Sequence, residues 1–145
     1  MGRASYVREA RGADLGGLSR LPVVSCSEHA AREAGRILAG LPADREHLLI
    51  LLLDTRNRLI GWRVVCTGGL CGVMVTPREI FRDVLRAPEP AAAIVLAHNH
   101  PSGDPAPSHA DREMTRRCAQ AGEVLGLSVL DHVIVASDGW ASVVG

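Results

Sequence analysis

His98 and His100 stand two positions apart at the end of an apolar run, within residues 97–111, Ala-His-Asn-His-Pro-Ser-Gly-Asp-Pro-Ala-Pro-Ser-His-Ala-Asp. In an extended strand, residues i and i+2 point to the same side. Ser108 and Asp111 follow, three apart, where a helix is expected to begin, and residues i and i+3 share a helix face. One tight loop could thus gather two imidazoles, a carboxylate and a hydroxyl. Two nitrogens and one oxygen are the donor set of a catalytic zinc that keeps its fourth position open. Ser108-x-x-Asp111 also reads as a capping box, with serine as N-cap and an acid three residues on. The two roles are compatible: Ser108 can cap while Asp111 turns toward a metal. The literal string His-Asn-His is not read as the nuclease motif of that name, whose residues spread over a longer hairpin-helix unit.

A hydrolytic site needs a general base, because a metal-activated water has a pKa near 7 and a neighbouring carboxylate can take its proton. Three acids are candidates. Glu79 falls in the first turn of an expected helix, where the dipole favours an acid without any catalysis. Glu89 lies between Pro88 and Pro90 in an expected surface loop. Glu46 opens an extended segment expected to run beside the apolar run before His98, and it is the preferred base.

The elements that must position these groups can be read along the chain. Residues 1–24 contain Gly12, Gly16, Gly17 and Pro22 without a sustained period and are expected to be a flexible leader; residues 25–145 are expected to form one domain. Residues 25–40 predict a helix, with Ser27 able to cap it and Gly40 to end it. Residues 47–54 predict a buried strand, 55–58 a turn and 59–66 its hairpin partner. Gly68-Gly69 breaks the chain before an expected strand at 70–75. Thr76-Pro77 is an N-cap followed by proline at the first helical position, opening a helix through 86. Residues 91–97 predict a strand covered on both faces. Three prolines stiffen the loop 98–107, and a long helix over 108–125 ends at Gly126. Strands at 127–135 and 140–144 complete an α/β arrangement, a mixed sheet flanked by helices.

Composition narrows the function classes. The 145 residues are 47% hydrophobic and 22% charged, with zero formal net charge and 3% aromatics. Neutral charge argues against direct nucleic-acid binding, and scarce aromatics argue against stacking single-stranded bases. No apolar stretch is long enough to span a bilayer, so no membrane association is expected. Cys26, Cys66, Cys71 and Cys118 contain no CxxC pair, and no apolar leader precedes them, so a reduced, cytoplasmic setting is expected. Cys66 and Cys71 supply only half a structural zinc site and are read as structural or incidental thiols.

Glu46, then His98-x-His100, then seven residues, Ser108, two residues and Asp111, together resemble the JAMM motif of the JAB/MPN metalloprotease fold. Within that fold the similarity is to bacterial RadC-like proteins. It is supported by residues 51–58, by Pro77-Arg78-Glu79-Ile80-Phe81, by residues 97–105 and by Leu130-Asp131-His132-Val133-Ile134. The resemblance implies a single-domain JAB/MPN-like fold, with a curved mixed sheet and cytidine-deaminase-like layering. It also implies one zinc ion per chain on His98, His100 and Asp111. Glu46 would be the acid-base group that activates water and protonates the leaving amine. Ser108 would donate a hydrogen bond to the oxyanion. Asn99, Asp104, Asp131 and His132 would have supporting roles such as orienting a ligand histidine, and His29, His47 and His109 would be bystanders.

The implied activity is a zinc-dependent hydrolase of amide or isopeptide bonds acting on an unidentified peptide or protein. The rival readings are a DNA-repair-associated metal-binding factor or nuclease, and a non-catalytic MPN-like interaction module. The upstream helix-hairpin-helix region usual in RadC-like proteins is not visible here, so no direct DNA role is expected. A zinc deaminase is set aside because its His-x-Glu and Pro-Cys-x-x-Cys elements are missing. An exposed strand edge or the N-terminal helix would be the surface for any homodimer.

Overall fold

The computed structural model describes residues 20–69, 71 and 75–144. The described elements are α1 (Ser27–Leu38), β1 (His47–Leu53), β2 (Leu59–Thr67), α2 (Pro77–Arg86), β3 (Ala93–Asn99), α3 (His109–Leu125), β4 (Ser128–Ala136) and β5 (Gly139–Ser142). They build one five-stranded sheet in the order β2-β1-β3-β4-β5. β3 and β4 run parallel, while β1–β2, β1–β3 and β4–β5 are antiparallel. The sheet is mixed, with α1 on one face and α2 and α3 on the other.

The period-2 alternation of the strands sorts side chains between these faces. On β1, Leu48, Ile50 and Leu52 pack toward α2 and α3 with Ile94 and Leu96 of β3. Leu49, Leu51 and Leu53 pack toward α1 with Val95 and Ala97. Every residue of β1 is buried, which explains why it reads as an unbroken apolar run rather than an alternating one. Each such side chain contributes about 1.5–3 kcal/mol on burial.

Local chemistry sets the connections. Asp54 closes the hairpin turn: its Oδ1 accepts from the backbone N–H groups of Arg56 and Arg58, and its Oδ2 pairs with Arg58 Nε at 2.6 Å. Asn57 takes the left-handed position at φ 58°. Thr76 and Glu79 form a capping box at the start of α2, with Pro77 following the cap. The N-cap of α1 is Cys26 rather than the expected Ser27. The Ser27 hydroxyl instead donates to Asp131 of β4, whose carboxylate also accepts from His132 N at 2.8 Å and Ser142 Oγ at 2.6 Å. Asp131 thereby ties α1, β4 and β5 together, and its buried charge has hydrogen-bond donors.

At the start of the described chain, residues 22–24 lie along the hairpin turn. Leu59 N donates to Pro22 O and Val24 N to Asn57 O, both at 2.8 Å, and Val24 is buried. Of the expected leader, residues 1–19 lie outside the described residues. Of the strand expected at 70–75 only Cys71 and Val75 are described, and neither lies in a strand. Cys66 and Cys71, expected as thiols, are joined as a disulfide that bridges the Gly68-Gly69 break. Among the described residues, no helix is long and apolar enough to cross a membrane.

Candidate metal centre

Sheet register and face parity bring the site together. β3 runs on to Asn99, so His98 is its sixth residue and not the first of the loop. His98 pairs with Leu48 of β1 and shares the face of Leu96, the face that α3 covers. Glu46 lies two residues before Leu48, on the same side of the extended chain. Asp111 sits in the first turn of α3. A strand end, a strand entrance and a helix start therefore meet over one patch of sheet, in a cleft lined by Glu46, Leu48, Cys71, His98, Asp111 and Met114.

The donor atoms converge closely. His98 Nε2 and His100 Nε2 are 2.9 Å apart. His98 Nε2 lies 3.3 Å from Asp111 Oδ1, and His100 Nε2 lies 3.5 Å from Asp111 Oδ2. Glu46 Oε1 is farther from both rings, at 3.7 Å and 3.9 Å. Atoms bound to a tetrahedral zinc at about 2.0–2.1 Å lie about 3.3–3.4 Å from one another. The histidine–aspartate distances have that spacing and the histidine–histidine distance is shorter. Glu46, His98 and His100 also form a set able to hold a metal ion. Either carboxylate can complete a three-donor site, and Asp111 is the one at ligand spacing.

Asp111 forms the cap foreseen for this helix start. Its Oδ2 accepts from Ser108 N at 2.8 Å while Ser108 Oγ accepts from Asp111 N at 3.1 Å, a complete capping box. The same carboxylate faces the two imidazoles. Burial alone would raise its pKa, but the charge and Nε2–H hydrogen bond that His98 offers when its ring is protonated, with the bonds from Ser108, outweigh burial and hold it below the usual carboxylate range. Ser108 spends only an oxygen lone pair on the cap, so its hydroxyl hydrogen is left to donate elsewhere.

The loop after β3 is fixed in turn. His100 N donates to Val135 O at 3.1 Å, and His100 Nδ1 meets the Asp104 carbonyl at 2.8 Å. A carbonyl can only accept, so Nδ1 carries the proton and Nε2 offers a lone pair to the cluster. Gly103 makes the bend at φ 93°, where a Cβ would lie 2.7 Å from Ser137 Oγ. Asn99, between the two histidines, points the other way: its Oδ1 accepts from His47 N at 2.7 Å and its Nδ2 donates to Arg45 O at 2.8 Å. These bonds clamp the backbone on both sides of Glu46.

The other two candidate bases are occupied elsewhere. Glu79 accepts from the backbone and hydroxyl of Thr76. Glu89, expected on the surface, is buried and ion-paired with the equally buried Arg63 at 2.7 Å. Among the bystander histidines, His47 is buried between Thr67 Oγ1 and the Pro42 carbonyl, and His29 meets Ser25. Sequence reasoning missed Thr115. It lies one helical turn after Asp111, with its hydroxyl between Asp111 O and His132 Nδ1. The i, i+4 spacing from Asp111 was the available signal.

The family described as RadC-like JAB domain matches residues 24–145. A UPF0758 protein of Desulforamulus reducens is 38% identical, covering 83% of this chain and 63% of that protein. A UPF0758 protein of Desulforudis audaxviator is 48% identical, covering 68% of this chain and 42% of its own length. The chain spans about half the length of the curated relatives it matches.

Proposed function

The chain belongs to the RadC-like JAB domain family, and on that footing we propose that it is a zinc-dependent hydrolase of amide or isopeptide bonds. One observation carries the reading. Two imidazole nitrogens and the Asp111 carboxylate face one point, with a second carboxylate, Glu46, just beyond ligand spacing. Four groups rich in lone pairs at such distances call for a cation. His98, His100 and Asp111 would hold zinc. When bound, zinc supplies Lewis-acid polarisation and a nucleophilic water at neutral pH.

The remaining steps belong to the chain's own side chains. Glu46 lines the cleft and its backbone is clamped by Asn99, which supports a role in which its carboxylate would take a proton from water and return it to the leaving amine. In this reading the Ser108 hydroxyl hydrogen, which the cap does not use, would meet the negative oxygen that develops on the scissile carbonyl. Asp111, already held by Ser108, keeps its negative charge.

The test begins with zinc content. The purified wild-type chain is expected to hold one equivalent, and Asp111→Ala far less. The zinc-loaded chain is then offered a mixed library of peptides and lysine isopeptides. Cleavage is expected from wild type and not from Glu46→Gln, which should still hold its metal. Absence of zinc in wild type, or equal zinc in Asp111→Ala, would overturn the metal reading. Undiminished cleavage by Glu46→Gln would overturn the assignment of the base.

A further inference from the structure

Behind the ligand shell, a line of hydrogen bonds runs from one proposed ligand to another. Thr115 Oγ1 donates to the Asp111 backbone carbonyl at 2.7 Å. The same oxygen lies 2.6 Å from His132 Nδ1. His132 Nε2 lies 2.7 Å from His98 Nδ1. Thr115 is buried and His132 is wholly excluded from solvent, so water does not stand in for a missing partner.

The order of donors along this line is forced. A carbonyl cannot donate, so the single Thr115 hydroxyl hydrogen goes to Asp111 O. The Thr115 oxygen is then an acceptor, and His132 Nδ1 must bring the proton. A neutral imidazole carries one N–H, so His132 Nε2 is bare. It accepts from His98, whose proton therefore sits on Nδ1. What remains on His98 is a lone pair on Nε2, aimed at His100 and Asp111.

We propose that Thr115 and His132 are positioning residues that set the ring tautomer of His98, so that its Nε2 is the atom offered to a divalent cation. Deleting the Thr115 hydroxyl would remove the acceptor that His132 Nδ1–H has among the described residues. His132 would then favour the opposite tautomer and donate to His98, placing the His98 proton on the face meant for the metal. The relay links α3 and β4 to the ring on β3, so the polarity of the site is decided outside the ligand set. The proposal rests on the metal reading above, and its test is built to fail separately from it.

Two measurements are needed. The first is imidazole nitrogen NMR on the zinc-free wild-type chain at neutral pH. His132 is expected as the Nδ1–H form, the minor tautomer of free histidine side chains in water. The second is zinc affinity by competition with a chromophoric chelator, for wild type, Thr115→Val and Thr115→Ser. Thr115→Val is expected to bind zinc about 10–100-fold more weakly, and Thr115→Ser, which keeps the hydroxyl, to recover most of that loss. A shift of the Thr115→Val spectrum toward His132 Nε2–H would mark a tautomer change and not a packing loss. The proposal fails if wild-type His132 carries its proton on Nε2, or if the valine and serine variants bind zinc equally well. A wild-type chain that binds no zinc yet shows the expected His132 form would sink the hydrolase reading and leave the tautomer relay standing.

Discussion

Ser108 and Asp111 cap each other across the first turn of α3, and the carboxylate that closes this box is the one facing His98 and His100. The two jobs can be separated by substitution. Asp111→Asn keeps an oxygen to accept from Ser108 N–H but loses the charge. Zinc affinity should fall by at least tenfold, while the zinc-free chain keeps the cap and loses only the stability tied to the charge. Asp111→Ala removes both, and the lost cap should cost about 1 kcal/mol more. Isothermal titration with zinc and urea unfolding of the zinc-free chain measure the two effects. Asparagine and alanine variants of equal stability would show that the cap contributes nothing.

Asn99 holds the strand entrance and points away from the proposed metal ligands. Its side-chain bonds to His47 N and Arg45 O join the end of β3 to the chain on either side of Glu46. Asn99→Ala should therefore retain stoichiometric zinc, because the three ligands keep their own supports. It should lose about 1–3 kcal/mol of stability through the unsatisfied groups it leaves behind. Metal analysis alongside thermal unfolding checks both halves. Loss of zinc in a folded Asn99→Ala chain would move Asn99 into the metal-holding apparatus.

The site was more legible in the sequence than its supports were. His98-x-His100 at a strand end and Ser108-x-x-Asp111 at a helix start carry the two periodicities that decide which side chains share a face. Glu46 could be preferred because β1 was expected beside β3. Thr115 and His132 were harder. Their contact depends on α3 lying over β4 and on Leu96 pairing with His132, a register set by long-range packing that local pattern does not encode. Glu89 looked like a surface acid between prolines because its partner Arg63 lies on β2, 26 residues away in the chain. The Cys66–Cys71 bond was likewise invisible, since spacing does not show whether a glycine-containing connection folds back on itself.

Acid should destabilise the zinc-free fold well above the usual carboxylate range. Burial, followed by the neighbouring His98 charge, pushes the His132 pKa down from 6.5 to about 3. Between those values the unfolded chain holds a proton that the folded chain refuses, so stability falls as pH drops through that window. The slope from this one residue reaches about 1.4 kcal/mol per pH unit. Asp111 acts in the same direction at lower pH: its depressed pKa contributes stability above its unfolded value of 3.8, and that is lost as pH falls toward its folded value. Urea unfolding between pH 4 and 7 should show a shallower pH dependence for His132→Gln than for wild type. Parallel curves would remove His132 as the cause.

Thiol chemistry should sort the cysteines by position. Cys26 is exposed at the start of α1, Cys118 is buried in the core, and Cys66 and Cys71 are bonded to each other. Burial raises the Cys118 pKa to about 11, so little of it is thiolate at neutral pH. The native oxidised chain should react quickly with a maleimide at Cys26 alone. Cys118 should follow only on unfolding, and Cys66 and Cys71 only after reduction. Peptide mapping after timed labelling reads the order, and prompt labelling of Cys118 in the native state would contradict its place in the core.

Gly122 sets two opposed effects against each other. It lies within α3, where glycine is ordinarily worse than alanine by about 1 kcal/mol, so propensity alone says that Gly122→Ala stabilises. A Cβ there would stand 2.2 Å from the Leu127 backbone oxygen, with Phe81 Cζ and Val129 Cγ2 each at 3.3 Å. The oxygen has little freedom to retreat. Leu127 N donates to Gly122 O at 2.8 Å, and Gly126 follows the helix in the left-handed conformation at φ 72°. This closing motif leads straight into β4, the strand that carries His132. Overpacking against a fixed backbone should outweigh the propensity gain, leaving Gly122→Ala less stable by about 1–3 kcal/mol. Calorimetry of the variant beside Gly126→Ala, whose added Cβ meets no atom within 4 Å but must adopt the left-handed conformation, separates crowding from backbone strain. A Gly122→Ala chain that melts above wild type would mean that α3 can lift from β4 at little cost, and that the ring positions on β4 are held more loosely than their hydrogen bonds imply.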